Sequence, residues 1–327
     1  MAHILVTGGA GYIGSHACKA LKQAGHVPVS FDNLSTGWAR AVRFGPLVEG
    51  DLLDRAALDA VFERFQPEAV MHFAALSDVG EATRKPGLYW RNNVQGSLNL
   101  IEAMLAAGCR DMVFSSTCAT YGEADGVVLD EDSPQRPLNA YGGSKLAVEA
   151  MLRDFGASDG LRSVVFRYFN VAGADPEAEI GEWHQPETHL IPLMLEAVDG
   201  KREALTIHGD DYPTADGTCI RDYVHVVDLV QAHLLGLDWL RAGHGSRVFN
   251  LGSGAGFSVA EVISHCRAGT GKKVPYRYGP RRAGDAAALV SGSTRAREEL
   301  GWEAQRSSLK LMIADAWRWY RTGGYSG

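Results

Sequence analysis

Ile4-Leu5-Val6-Thr7-Gly8-Gly9-Ala10-Gly11-Tyr12-Ile13-Gly14 decides how the whole chain is read. An apolar, β-branched run passes through Gly8, Gly11 and Gly14 into a stretch where Ile13, Ala17, Ala20, Leu21 and Ala24 recur at helical spacing. The pattern is strand, tight turn, helix. Gly8 permits the turn, Gly11 lets backbone approach a pyrophosphate, and Gly14 lets helix and strand pack closely. The helix N-terminus offers free N–H groups and partial positive charge to the anion. The next apolar run, Val27 to Phe31, ends in Asp32. A carboxylate at that distance grips the adenosine ribose hydroxyls of a dinucleotide and repels a 2′-phosphate, so the predicted cofactor is NAD rather than NADP.

Working outward, Leu47 to Glu49 reads as a strand, Arg55 to Phe65 as a helix, Ala69 to Phe73 as a strand, Asn93 to Ala107 as a helix and Met112 to Ser115 as a strand. Strands alternating with helices of this length predict an α/β fold, a doubly wound parallel sheet of Rossmann type. Ligands then sit beyond the carboxyl ends of the strands, where Asp51-Leu52, Phe73-Ala74-Ala75 and Ser115-Ser116-Thr117 fall. A helix opens at Tyr141 and runs to about Phe155, and a sixth strand covers Arg162 to Phe166.

After that strand the alternation lapses. Asp175 to Pro192, rich in Pro, Gly and acids, reads as a long functional loop. Shorter elements follow: a helix from about Leu190, strands at Leu205 to His208 and Val248 to Leu251, a helix capped by Ser258 with Glu261, and a last helix from Leu309. Gly252, Gly254 and Gly256 read as a turn before the Ser258-capped helix rather than a second cradle. The expectation is a Rossmann domain over residues 1–170 and a smaller mixed α/β domain over 171–327, with segments around 215–255 as candidates for crossing back.

The 327 residues carry 32 basic and 39 acidic side chains, interspersed, for a formal charge of -7. That balance argues against a nucleic-acid partner. Met1-Ala2 leads straight into the first strand, and no run of about 18 uncharged apolar residues occurs, so no membrane span and a cytoplasmic location are expected. Cys18, Cys109, Cys118, Cys219 and Cys266 are odd in number, with no CxxC, and read as reduced thiols. No metal is expected either: the spacing of His184, Glu187 and His189 matches no helical zinc signature, and prolines surround it.

Tyr141 and Lys145, four apart on one helical face, form the sharpest catalytic pair. A tyrosine hydroxyl is a poor base at neutral pH unless a cation stabilises the phenolate, which a lysine one turn away beside an oxidised nicotinamide would do.

These segments resemble the extended short-chain dehydrogenase/reductase superfamily and, within it, the UDP-glucose (UDP-galactose) 4-epimerases. The likeness runs through VTGGAGYIGSH (Val6 to His16), DNLS (Asp32 to Ser35), HFAA (His72 to Ala75), NNVQG (Asn92 to Gly96), FSSTCATYG (Phe114 to Gly122), YGGSK (Tyr141 to Lys145), RYFNVAGA (Arg167 to Ala174), IGEWHQPETHLIP (Ile180 to Pro192), DGTCIRDYVHVVDL (Asp216 to Leu229) and RRAGD (Arg281 to Asp285). It implies that Thr117 hydrogen-bonds the sugar 4-hydroxyl, Tyr141 removes its proton, and Lys145 holds the nicotinamide ribose while lowering the tyrosine pKa. Hydride passes from sugar C4 to NAD, the 4-keto sugar rotates, and hydride returns to the other face.

The resemblance further implies that Gly8, Gly11, Tyr12, Ile13, Gly14, Asp32, Asn33, Asp51, Leu52, Phe73, Ala74, Ala75, Asn92, Ser115, Tyr141, Lys145 and Tyr168 contact the cofactor. Thr117, Asn170, His189, Leu190, Thr206, His208, Arg221, Arg282, Asp285 and Leu289 are implied for the UDP-sugar. Two arginines suit a pyrophosphate, and Asp285 suits ribose hydroxyls. The likeness also suggests a homodimer. Three positions depart from the better-known bacterial epimerases: Ser77, His189 and Leu289 stand where those often carry Lys, Asn and Tyr.

Hexose substrates are expected, with UDP-xylose and UDP-arabinose as additional or preferred ones. A UDP-sugar 4,6-dehydratase would need an acid/base pair after the threonine, where Cys118-Ala119 stand. A non-catalytic NAD-binding sensor would keep the glycines and lose the tyrosine or lysine, and both are present.

Overall fold

Six strands lie in parallel register: β1 (His3–Thr7), β2 (Val27–Asp32), β3 (Leu47–Glu49), β4 (Ala69–His72), β5 (Asp111–Ser115) and β6 (Arg162–Tyr168). A seventh, Arg247–Leu251, adds beside β6, giving the spatial order Arg247–Leu251, β6, β5, β4, β1, β2, β3. The chain winds outward from β1 to β3, then crosses back to β4. The reversal between β1 and β4 is the switch point at which such sheets bind ligands. These features come from a computed structural model, which describes residues 1–122, 128–282 and 286–325.

Both faces of the sheet are covered, as the near-continuous apolar strands require. Leu5, Val29, Phe31, Val70, Met112, Phe114 and Val165 share one buried cluster with side chains of helices Arg55–Phe65, Gly96–Ala106 and Ala140–Asp159. Val164 and Phe166, pointing to the other face, approach Gly236 of helix Val226–Arg241 so closely that a Cβ there would lie 2.9 Å from Phe166.

The chain divides into two compact units. The first comprises residues 1–122, 134–167 and 230–249, and the second 123–133, 168–229 and 250–327. In the second, strand Ile220–His225 pairs in parallel with Asn170–Ala172 and Ala288–Leu289 and antiparallel with Gly256–Ser258. Leu205–His208 and Tyr276–Gly279 form a separate parallel pair. Helices Leu190–Val198, Val259–Thr270 and Leu309–Tyr320 close the core of this unit around Met194, Val262 and Ile313. Ser258 and Glu261 form the expected reciprocal cap.

Two helices differ from expectation. The one read from Asn93 is preceded by a π-helical turn, Trp90–Gln95, and becomes α-helical only at Gly96–Ala106. The helix carrying Tyr141 starts at Ala140 and continues past Phe155 to Asp159, where Gly160 takes the left-handed cap at φ 71°. Among the described residues no helix is long and apolar enough to cross a membrane.

Candidate active site

The cradle is assembled as the glycine spacing predicts. Gly8 has φ +75°, and a Cβ on it would stand 2.7 Å from the Ala74 nitrogen at the end of β4. A Cβ on Gly14 would run into the Gly8 carbonyl oxygen. Only glycine keeps this backbone bare for a phosphate. Helix Tyr12–Gln23 begins directly after Gly11, with no side chain capping its N-terminus.

Asp32, at the end of β2, is held by its own loop. One carboxylate oxygen accepts from the Ala10 N–H at 3.0 Å, the other from the Leu34 N–H at 2.9 Å. Burial pushes this carboxyl above its usual range, opposed by those two bonds. Asn33 donates to Asp51 at 2.9 Å, and Asp51 accepts from the Leu53 N–H, so the β2 and β3 ends form one polar rim. The glycine cradle and an acidic residue set for ribose hydroxyls fit a dinucleotide lacking a 2′-phosphate.

Asn139 caps helix Ala140–Asp159 by accepting from the Gly142 N–H at 3.0 Å, which puts Tyr141 in the first turn. The Tyr141 hydroxyl shares a hydrogen bond with Thr117, at the end of β5. One turn on, the Lys145 ammonium donates to the Ser115 carbonyl at 2.7 Å and lies 4.8 Å from the centre of the Phe114 ring. Burial lowers the Lys145 pKa to about 7, with Glu149 opposing. Burial also dominates at Tyr141, pushed up to about 12 against the Thr117 bond. The expected lowering of the tyrosine pKa by Lys145 is therefore not seen in the protein alone: the ammonium is turned to Ser115, and desolvation of the phenolate outweighs the hydroxyl donor.

Beneath the pair lies a network that spacing alone does not single out. Glu149, one turn beyond Lys145, accepts from Ser116 Oγ at 2.5 Å and from Arg167 Nη2 at 2.6 Å, and Arg167 Nη1 donates to the Tyr121 hydroxyl at 2.9 Å. The ion pair is buried, and Arg167 is held above its ordinary value because Glu149 more than offsets desolvation. Asn93 is a second hidden organiser. It donates to Ser144 at 3.0 Å and exchanges hydrogen bonds with both backbone groups of Leu76, tying the π-turn, the loop after β4 and the Tyr141 helix together. An arginine directly after the apolar run Val164-Val165-Phe166, and a glutamate at i+4 from Lys145, are the signals in the sequence for the ion pair.

Of the other positions expected to contact the cofactor, Leu52, Phe73, Ala74, Ala75 and Tyr168 fall at strand ends, and Asn92 lies in the π-helical turn. Phe73 and Ala74 follow β4 with both N–H groups bonded to the Thr7 carbonyl, and Ala75 continues that loop. Leu52 follows β3, while Asn92 donates to Asn93 at 2.9 Å. Tyr168 closes β6 and is assigned to the second unit.

In the second unit, Asn170 opens a strand and hydrogen-bonds Tyr223. Arg221 sits opposite Leu289 on one side and Phe257 on the other, and its guanidinium donates to the Ile220 carbonyl at 2.7 Å. Thr206 and His208 lie along one strand, with His208 Nδ1 3.3 Å from the Pro280 carbonyl. Arg281 and Arg282 are both exposed, and Arg281 is committed to Asp211 and to the Tyr212 ring. Asp285 lies outside the described residues. His189 stands at the N-cap position of helix Leu190–Val198 without a side-chain capping bond, with Nδ1 2.9 Å from Glu182 and 3.0 Å from Glu187; burial lowers its pKa, but the two carboxylates win and hold it well above the usual range.

The second glycine run behaves as a turn. Asp222 accepts from the N–H groups of Ser253, Gly254 and Ser291, so the backbone donors there are already satisfied.

A doubly wound sheet with this cradle and a Thr-Tyr-Lys constellation defines a dinucleotide-dependent enzyme acting on an alcohol carbon. Residues 4–252 match the NAD dependent epimerase/dehydratase family, and the chain belongs to it. It is 48% identical over 325 residues to the UDP-glucose 4-epimerase of Rhizobium meliloti (strain 1021), covering 99% of each chain. A crystal structure of UDP-glucose 4-epimerase from Brucella ovis in complex with NAD superposes with a TM-score of 0.95 at 46% identity, over 97% of this chain and 98% of that one. A UDP-glucose-4-epimerase from Stenotrophomonas maltophila, with bound NAD and formylated UDP-arabinopyranose, gives a TM-score of 0.95 at 40% identity and covers 99% of both.

Proposed function

We propose that this protein is an NAD-dependent 4-epimerase that interconverts UDP-glucose and UDP-galactose by transient oxidation at sugar C4. The observation that carries the reading is the buried Thr117–Tyr141 hydrogen bond, with Lys145 one turn away, in the same unit as a cradle that accepts only glycine and as Asp32. Bound NAD supplies the hydride acceptor and the positive charge that the buried tyrosine lacks, and is unchanged at the end of a turnover.

The chain's own groups do the rest. Thr117 hydrogen-bonds the 4-hydroxyl and Tyr141 takes its proton as the C4–H bond breaks. Lys145, neutralised by burial or anchored on Ser115, orients the nicotinamide ribose. In this reading Gly8, Gly11, Tyr12, Ile13, Gly14, Asp32, Asn33, Asp51, Leu52, Phe73, Ala74, Ala75, Asn92, Ser115 and Tyr168 hold the cofactor. Asn170, His189, Leu190, Thr206, His208, Arg221, Arg282, Asp285 and Leu289 hold the UDP-sugar. Arg221 and Arg282 take the pyrophosphate as charge-assisted donors.

UDP-pentoses are further substrates. The UDP portion they share supplies most of the binding, and Ser77 and Leu289 stand where longer side chains would police the sugar. The protein works as a homodimer in the cytoplasm; its five free cysteines suit a reducing compartment. Conversion of UDP-galactose by purified protein, followed by separation of the C4 epimers, tests the activity: failure to form UDP-glucose sinks it. Light scattering tests the dimer, with a mass near 35.3 kDa counting against it.

A further inference from the structure

Glu182, His184, Glu187 and His189 each turn one ligand atom inward, and the four atoms all lie within 4.8 Å of one another. We propose that this quartet is a closed, structural site for a borderline divalent transition metal, zinc foremost. The spacing of His184, Glu187 and His189 speaks against a metal only if the three lie on a helix; the structure adds Glu182 and gathers all four from an eight-residue loop preceding helix Leu190–Val198.

The donor set is two imidazole nitrogens and two carboxylate oxygens, the types that zinc takes in four-coordinate sites. Bonds of about 2.0–2.1 Å at tetrahedral angles place neighbouring donors roughly 3.4 Å apart. Here His189 Nδ1 is 2.9 Å from Glu182 Oε1 and 3.0 Å from Glu187 Oε1, while His184 Nδ1 is 3.4 Å from Glu182 Oε1 and 3.7 Å from Glu187 Oε2. With Glu187 Oε2 as the fourth donor, three of the six edges of a coordination tetrahedron are thus already near their length, the 3.0 Å contact from His189 being to the other Glu187 oxygen.

Two further observations point the same way. His184 Nδ1 is buried and stands 3.4 and 3.7 Å from two carboxylate oxygens, without a short hydrogen bond to either. Leaving a buried nitrogen with such long contacts is costly, and a metal ion would satisfy it. Both carboxylates are at least nine-tenths buried, and among the described residues their ion-pair partners are histidines, with no lysine or arginine. One divalent cation would neutralise them while leaving both imidazoles neutral. Glu187 is already oriented toward such an ion: its Oε1 accepts from the N–H groups of Thr188 and His189 at 2.7 and 2.8 Å, which turns Oε2 toward His184. With four protein ligands the site has no open position, so its role is to fix the loop that leads into Leu190 rather than to do chemistry.

The test uses the purified, untagged, NAD-loaded protein grown with zinc. Elemental analysis is expected to give about one zinc per chain, and competition with a chromophoric chelator a saturable site that His184→Ala weakens at least 10-fold. His244→Ala, at an exposed position in the first unit, should leave it unchanged. Replacing zinc by Co²⁺ should produce the intense visible bands of a tetrahedral site in the wild type and not in Glu187→Gln, a readout that does not depend on the folding of His184→Ala. Less than about a tenth of an equivalent of zinc after loading, equal binding by His184→Ala, or an octahedral Co²⁺ spectrum overturns the proposal. In those cases the quartet is an ion-pair cluster with protonated histidines. Epimerase activity in a zinc-free protein would leave the proposed function standing, so the two readings fail separately.

Discussion

Arg167→Met tests how the catalytic strand end is held. The guanidinium makes two buried contacts that matter here, a 2.6 Å bond to Glu149 and a 2.9 Å bond to the Tyr121 hydroxyl, with both partners of the ion pair about 95% buried. Removing it leaves Glu149 as an uncompensated buried charge, which typically costs about 3–5 kcal/mol. Glu149→Gln alone should cost a similar amount by stranding the arginine. The double variant should recover most of the loss, because two neutral side chains of similar shape need no counter-charge. At roughly 2.1 cal/mol/K per residue, 327 residues unfold with an entropy of about 0.7 kcal/mol/K, so each single variant should melt about 4–7 °C lower. Scanning calorimetry on all four proteins gives the cycle, and activity gives the functional arm: Ser116 bonds Glu149 at 2.5 Å and sits between Ser115, which anchors Lys145, and Thr117. kcat should fall in Glu149→Gln more than the UDP-sugar KM rises. Single variants that melt within about 1 °C of wild type, or a double variant no better than either single, would refute the reasoning.

Other outcomes follow from the same geometry. Tyr141→Phe removes the base and keeps the ring, so turnover should drop roughly 10²- to 10⁴-fold with UDP binding retained; near wild-type turnover would show the assignment to be wrong. Lys145 has a folded pKa of about 7, below its ordinary value of 10.5, so the native state holds fewer protons than the unfolded one between those limits. Its burial therefore destabilises the fold fully below pH 7 and progressively less as pH rises toward 10.5. Lys145→Met should be inactive yet melt higher than wild type at about pH 6, with the advantage shrinking by about pH 9; an advantage that grew with pH would contradict the sign. NAD should be released on denaturation of the purified protein, and Asp32 should exclude NADP; rescue of the apoprotein equally by both cofactors would overturn that role. UDP-xylose and UDP-arabinose lack only the C5 hydroxymethyl group, a difference worth about 1–3 kcal/mol, so kcat/KM should fall within about 200-fold of the hexoses. No turnover of either pentose would exclude them.

Much of the fold and the cradle is legible in the sequence because short-range rules govern it. Gly8 and Gly14 must be glycine for reasons visible in the spacing, since one needs positive φ and the other abuts a carbonyl. Asp32 follows from the length of one βαβ turn, and the Tyr141–Lys145 pair from helical periodicity. What stays hidden depends on contacts between distant segments. Glu149 and Arg167 meet only because their helix and strand pack together, and Asn93 has meaning only once the loop at Leu76 and the helix at Ser144 converge on it. The π-turn at Trp90–Gln95 breaks the 3.6-residue period without any proline or glycine inside it. The pKa of Tyr141 shows the limit of motif reasoning: the lysine is at the expected spacing, but burial, which the sequence does not display, decides the direction.

Epimerisation by this site requires that C4 be oxidised and reduced within one turnover, with the same hydride restored to it. Following UDP-[4-²H]galactose through the purified protein tests this most directly. The predicted product is UDP-glucose that retains deuterium at C4, with no accumulation of NADH; loss of the label to solvent, or stoichiometric release of NADH, would contradict it.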